Sequence, residues 1–140
     1  SDLDAVMGDY AWVMRDDPPV ERMRQAALVL KGRHDFSAFR SAGSSETGPV
    51  RDLWGLEVEE GRIDHLDCRY ISITASADGF LYKMVRNITG AIVEAATMKE
   101  NASSYILNLL EGRDRTLAPP PAPASGLYLA KVRYPEIYNI

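Results

Sequence analysis

FLYKMVRNITGAIVEAA, residues 80–96, is the stretch from which the rest of the chain can be placed. Leu81, Val85, Ile88, Ile92 and Ala95 recur three or four apart, the spacing of one apolar helix face, which predicts a helix running to about Thr97. Gly90-Ala91 offers a small patch on that helix where another backbone can approach closely. At its start, Tyr82 and Arg86 lie four apart on one face and Lys83 and Asn87 on the neighbouring one. An aromatic ring, cations and an amide at a helix start fit a binding surface; a solvated polar face explains the same residues equally well.

Upstream, Asp78-Gly79 is a turn signal, and CRYISITASA, residues 68–77, alternates as a strand, with Tyr70 and Ser72 on one face and Ile71 and Ile73 on the other. VRDLWGLEVE, residues 50–59, is also strand-like, with Leu53, Trp54, Leu56 and Val58 as its apolar content. EEGRIDHLD connects the two as an antiparallel pair. SAGSSETGP, residues 41–49, reads as a mobile loop. Before it, HDFSAFR, residues 34–40, predicts a short turn or helix in which Phe36 and Phe39 anchor the core. Earlier still, Val20, Met23, Ala27 and Leu30 predict a helix, with cap candidates in Asp16-Asp17-Pro18-Pro19 and a stop at Lys31-Gly32.

Downstream, a shorter helix is expected near Ser103 to Leu110, closed by Gly112. APPPAPAS, residues 118–125, is incompatible with helix or central strand and predicts an extended connector. A final strand spans Gly126 to Tyr134. The order α, β, β, α, α, β, without internal repeats, predicts an α+β domain with helices on one face of a small antiparallel or mixed sheet.

Composition narrows the function classes. With 46% hydrophobic and 26% charged residues, the 140-residue chain is of globular rather than disordered type and is sized for a single domain. Cys68 is the only cysteine, which excludes an intrachain disulfide and a cysteine-cluster zinc site. His34 and His65 stand apart, without metal-ligand spacing, so no metal is expected. Neither a glycine-rich phosphate loop nor a nucleophile elbow occurs. No apolar run reaches the ~20 residues of a membrane span, and SDLDAVMGDY at the start has no signal-peptide pattern, so no membrane partner is expected. The expected location is intracellular, cytoplasmic in the first place, with an organelle or the nucleus as alternatives. The net charge of −4 weighs against a wholly basic nucleic-acid surface, although a local cluster of cations can still bind phosphate.

Single candidates divide by chemistry. His34-Asp35 could serve acid–base work, but sequence neighbours seldom point at one target, and capping of a turn is the favoured role for Asp35. Arg40, beside the loop, can hold phosphate through its planar fork. Arg51 and Lys83 fit phosphate contacts or ordinary surface charge.

HDFSAFR with SSETGPVR (residues 44–51), FLYKMVRNITGAIVEAA, and APPPAPASGLYLAKVRYP (residues 118–135) together resemble three blocks of the TruA-type tRNA pseudouridine synthases, in family order over about 100 residues. The resemblance implies the C-terminal half of the pseudouridine synthase fold. It also implies isomerisation of uridine in tRNA, chiefly in the anticodon stem-loop, without a cofactor. The expected partners are tRNA, the N-terminal half of the same enzyme and a second copy in a homodimer. Arg86 matches the family's active-site arginine, thought to pair with a nucleophilic aspartate. Leu127 matches a position lining the uracil pocket, with Tyr128 as its companion. Tyr82, Lys83 and Asn87 are taken as further substrate contacts, and Arg40 and Arg51 as RNA contacts.

There are departures from the family pattern. Lys83 replaces a frequent histidine, and Ser44 a frequent cysteine. The aspartate motif R-x-D-x-G-V-x-A and the R-x-Y-x-Y strand do not occur in the 140 residues. The expectation is therefore a C-terminal domain cut from a longer enzyme and inactive alone. The alternative is a non-catalytic RNA-binding or dimerisation module that retains the fold.

Overall fold

The computed structural model describes residues 18–42, 48–63 and 68–124. In chain order the elements are α1 (Val20–Leu30), β1 (Gly32–Asp35), a 3-10 turn (Ser37–Phe39), β2 (Val50–Ile63) and β3 (Cys68–Ala77). Then follow α2 (Met84–Thr97), α3 (Ala102–Gly112) and a second 3-10 turn (Arg115–Leu117). The three strands form one antiparallel sheet in the order β1-β2-β3. The expected α+β class is thus observed. The expected last strand, from Gly126, lies outside the described residues.

One face of the sheet carries the core. Leu53, Leu56 and Val58 of β2 are buried, and Ile71, Ile73, Ala75 and Ala77 of β3 pack beside them. Tyr70 and Ser72 point to the exposed side, as period-2 alternation requires. Trp54 does not join the core. The pairing slips between Leu53 and Gly55, so Trp54 is the extra residue of a β-bulge and stands 58% exposed.

The helices cover the core face. α1 packs against β2, α2 and α3, and its predicted stripe of Val20, Met23, Ala27 and Leu30 is buried. Its cap differs from expectation: Pro19 occupies the N-cap with no side-chain bond. Phe36 and Phe39 are fully buried, their rings in edge contact at 6.3 Å. Each such side chain contributes about 1.5–3 kcal/mol by leaving water.

Four boundaries differ from the sequence reading. β1 was expected as part of a helix stop and turn; it becomes a strand because Gly32 to Asp35 pair with Leu53 to Val50. β2 extends to Ile63 rather than Glu59, shortening the predicted connection. α2 begins at Met84, because Lys83 adopts a left-handed backbone with φ 58°. At the end of α3 the left-handed residue is Arg113 (φ 53°), one past the expected Gly112, and its amide bonds to Leu109 O. Asn101 caps the start of α3 by accepting from the Ser104 amide.

Candidate functional site

The candidate residues converge on the turn before α2. Asp78 closes the β2–β3 pair: its carboxylate accepts from the Asp52 amide at 2.9 Å, and its own amide donates to Asp52 O at 3.2 Å. Asp78 thus has a structural role. The Arg51 side chain lies over Gly79, the next residue, and its Nη1 donates to Gly48 O and Val50 O. From the other direction, the Ser41 amide donates to Tyr82 O at 3.0 Å and brings the segment after Arg40 against the same turn.

Because α2 starts at Met84, Tyr82 and Lys83 lie in the turn and not on the helix. The predicted face shared by Tyr82 and Arg86 does not form, nor does that shared by Lys83 and Asn87. Tyr82 and Lys83 are exposed, and the Lys83 ammonium sits 5.2 Å from the Tyr82 ring centroid, a cation–π contact.

Asn87 overturns its expected placement. Instead of facing solvent it is fully buried. Its Nδ2 donates to Phe39 O at 2.8 Å and Ser41 Oγ at 3.2 Å, and its Oδ1 accepts from Arg115 Nη2 at 2.9 Å. A buried amide needs such partners, and these commit it to holding the 39–41 segment, with no side-chain surface left for a ligand. In this structure Asn87 therefore serves as a structural link between α2, the 39–41 segment and Arg115.

Arg86 is half-buried on the first turn of α2. Its Nε donates to Ala122 O at 2.8 Å, and the Ala122 amide donates back to Arg86 O at 2.9 Å. The two terminal nitrogens of its guanidinium have no hydrogen-bond partner among the described residues. The extended segment carrying Ala122 crosses α2 where Gly90 leaves room. A Cβ at Gly90 would overlap the Pro120 carbonyl oxygen. The small patch expected at Gly90-Ala91 is thus the crossing point of the proline-rich strap.

His34 and Asp35 do not form a catalytic pair. His34 Nε2 bonds to Lys31 O at 2.9 Å, while Asp35 Oδ1 accepts from the Ser37 amide at 2.9 Å and the Ser37 hydroxyl at 2.5 Å. Partial burial pushes the Asp35 carboxyl up, but the two Ser37 bonds and the nearby Arg113 and Arg40 guanidinium groups outweigh it and hold its pKa below the ordinary value. Asp35 is the predicted turn cap.

Among the described residues no group of His, Cys, Asp or Glu could hold a metal ion, and no helix is long and apolar enough to cross a membrane. Leu127 and Tyr128 lie outside the described residues. Arg115 is the residue sequence reasoning missed. Its only local signal is an arginine placed three residues before the proline-rich run.

The family described as tRNA pseudouridine synthase matches residues 26–135. The chain is 38% identical over 130 residues to tRNA pseudouridine synthase A of Thermoanaerobacter sp. (strain X514), covering 91% of this chain and 50% of that protein. To the protein of the same name from Chlamydia muridarum it is 40% identical over 120 residues, 86% of this chain and 42% of the relative. For Thiobacillus denitrificans the figures are 43% over 118 residues, 84% and 43%. The chain spans about half the length of the curated relatives it matches.

Proposed function

Since this chain belongs to the tRNA pseudouridine synthase family, we propose that it forms one wall of a cleft in which a uridine of tRNA is isomerised to pseudouridine. The observation that carries this reading is the state of Arg86. Its Nε is tied to Ala122 O at 2.8 Å, so the side chain is anchored while its two terminal nitrogens remain for a ligand. A planar guanidinium held in this way suits a carboxylate, accepting two parallel hydrogen bonds. Its charge favours the ionised, nucleophilic form of that carboxylate.

In the proposed arrangement the carboxylate is the aspartate of the family motif, supplied by a segment outside these 140 residues. The aspartate carboxylate attacks ribose C1′ as the bond from C1′ to uracil N1 breaks, and the freed base turns. Its C5 then bonds to C1′ as the aspartate leaves, C5 losing its proton and N1 taking one up. The net change is an isomerisation, which needs neither oxidant nor cofactor. Leu127 lines the uracil pocket in this reading, with Tyr128 beside it. Tyr82 and Lys83, exposed together on the turn before α2, contact substrate or its phosphates, and Arg40 and Arg51 border the same turn as RNA contacts. The N-terminal half of the enzyme completes the cleft, a second copy forms the dimer, and the anticodon stem-loop is the substrate region. The protein acts inside the cell, in the cytoplasm. The 140-residue chain by itself has no turnover.

Pseudouridine formation in unmodified tRNA by the full-length protein tests this, comparing wild type with Arg86→Ala. Arg86→Ala is expected to lower the rate by orders of magnitude with folding intact. A full-length wild type inactive on a panel of tRNAs would replace this reading with that of an RNA-binding or dimerisation module.

A further inference from the structure

Arg115 sits half-buried at the start of the second 3-10 turn. Its guanidinium serves three acceptors from two parts of the chain. Nη1 donates to Ala118 O at 3.2 Å and Pro119 O at 3.1 Å, the first residues of the strap. Nη2 donates to Asn87 Oδ1 at 2.9 Å. Among the described residues no carboxylate pairs with it. An arginine that surrenders hydration to carbonyl and amide oxygens alone is spending its fork on geometry rather than on an ion pair.

The connectivity shows what that geometry holds. Asn87 follows Arg86 on α2, and Ala122, at the far end of the strap, accepts from Arg86 Nε at 2.8 Å. Arg115 therefore closes a ring: Arg86 to Ala122, back along the strap to Arg115, and through Asn87 to Arg86 again. Two sides of the ring are covalent backbone, and the other two are the Arg86–Ala122 and Arg115–Asn87 hydrogen bonds. Proline residues 119–121 stiffen the strap, since each has a fixed φ. Releasing the Arg115 side frees the strap at Ala118 and Pro119, from which the stiff proline run carries the change on to Ala122 O.

We infer that Arg115 is a positioning residue for Arg86, acting through Asn87 and the strap to fix the direction in which the terminal nitrogens of Arg86 point. This rests on the functional reading above for its effect on catalysis, but the Arg115–Arg86 coupling itself does not. A lysine at 115 cannot replace it, because one ammonium lacks the planar fork that reaches both partners.

The test uses full-length protein as wild type, Arg115→Ala and Arg115→Lys. Single-turnover pseudouridine formation at saturating enzyme is measured beside tRNA affinity. In parallel, solvent exchange of the Arg86 Nε–H is followed by NMR on 15N-arginine protein, its signal assigned by its loss in Arg86→Lys. Both Arg115 variants are expected to lower the single-turnover rate roughly tenfold to a hundredfold, as a misplaced reacting group does, with tRNA affinity unchanged. Exchange of the Arg86 Nε–H should accelerate by at least about tenfold, the signature of a weakened bond. A wild-type rate in both variants, a loss confined to tRNA affinity, or unchanged Arg86 Nε–H exchange would overturn the inference. If Arg115→Ala does not fold, Arg115→Lys carries the same measurements. If wild type itself makes no pseudouridine, the functional reading fails, and the exchange measurement alone decides whether Arg115 positions Arg86.

Discussion

Arg86 and Ala122 hold each other twice, the Arg86 Nε donating to Ala122 O at 2.8 Å and the Ala122 amide to Arg86 O at 2.9 Å. One bond restrains the side chain and the other restrains the backbone that receives it. The proline-rich segment is thus fitted to α2, and its fit depends on what lies beneath it.

Gly90→Ala tests that fit. In an open helix the change would stabilise by about 1 kcal/mol, because alanine is the better helix former. Here the added methyl overlaps Pro120 O, so the expected result is a net loss of about 1–3 kcal/mol, typical of overpacking. Urea denaturation of the chain checks the sign, and a stabilised variant would mean the strap does not lie on Gly90.

Asn87→Ala removes the donor to Phe39 O and Ser41 Oγ and the acceptor of Arg115. Buried partners left unsatisfied cost roughly 1–3 kcal/mol each. The denaturation midpoint is expected to fall accordingly. A variant as stable as wild type would place Asn87 on a solvated surface after all.

Lys83→Gly addresses the turn. Lys83 holds a left-handed backbone at φ 58°, which glycine adopts without the side-chain penalty of about 1 kcal/mol. Stability should stay level or rise by up to that amount, while full-length protein binds tRNA more weakly at low salt than wild type. Unchanged binding at every salt concentration would remove Lys83 from the RNA contacts.

Asp35→Ala should destabilise the chain by about 1–2 kcal/mol at neutral pH, since two hydrogen bonds from Ser37 are lost. The folded carboxyl has a pKa below the ordinary 3.8, so the ionisation-dependent stability is fully present above that value. It is lost as pH falls through the lower folded pKa. Denaturation curves of wild type and variant should therefore draw together in acid. A gap that widens below pH 4 would contradict the assignment.

Much of the framework was legible along the chain. The β2–β3 hairpin announced itself by alternation in CRYISITASA, α1 and the body of α2 by their apolar spacing, the strap by its prolines, and its crossing point by Gly90. Phe36 and Phe39 were recognisable as core anchors. Four-residue β1 was not, because nothing in GRHD alternates and the pairing with residues 50–53 alone makes it a strand. Trp54 belongs with Leu53, Leu56 and Val58 to the apolar content of the strand and is exposed, as the extra residue where the pairing slips between Leu53 and Gly55.

The sequence by itself determined the α+β class, the apolar faces and the extended proline-rich connector, since periodicity and backbone chemistry are properties of consecutive residues. Arg86 was singled out by the resemblance of its block to the family's. Tertiary structure alone decided that Asn87 is buried and not presented, that Lys83 interrupts the helix, and that Arg115, 29 positions beyond Arg86 in the numbering, closes a ring with it. Those three facts depend on which oxygen or amide from a distant segment comes within hydrogen-bond reach. Local pattern carries no record of that, because the partners meet only when the 39–41 segment and the strap fold against α2 and the turn before it.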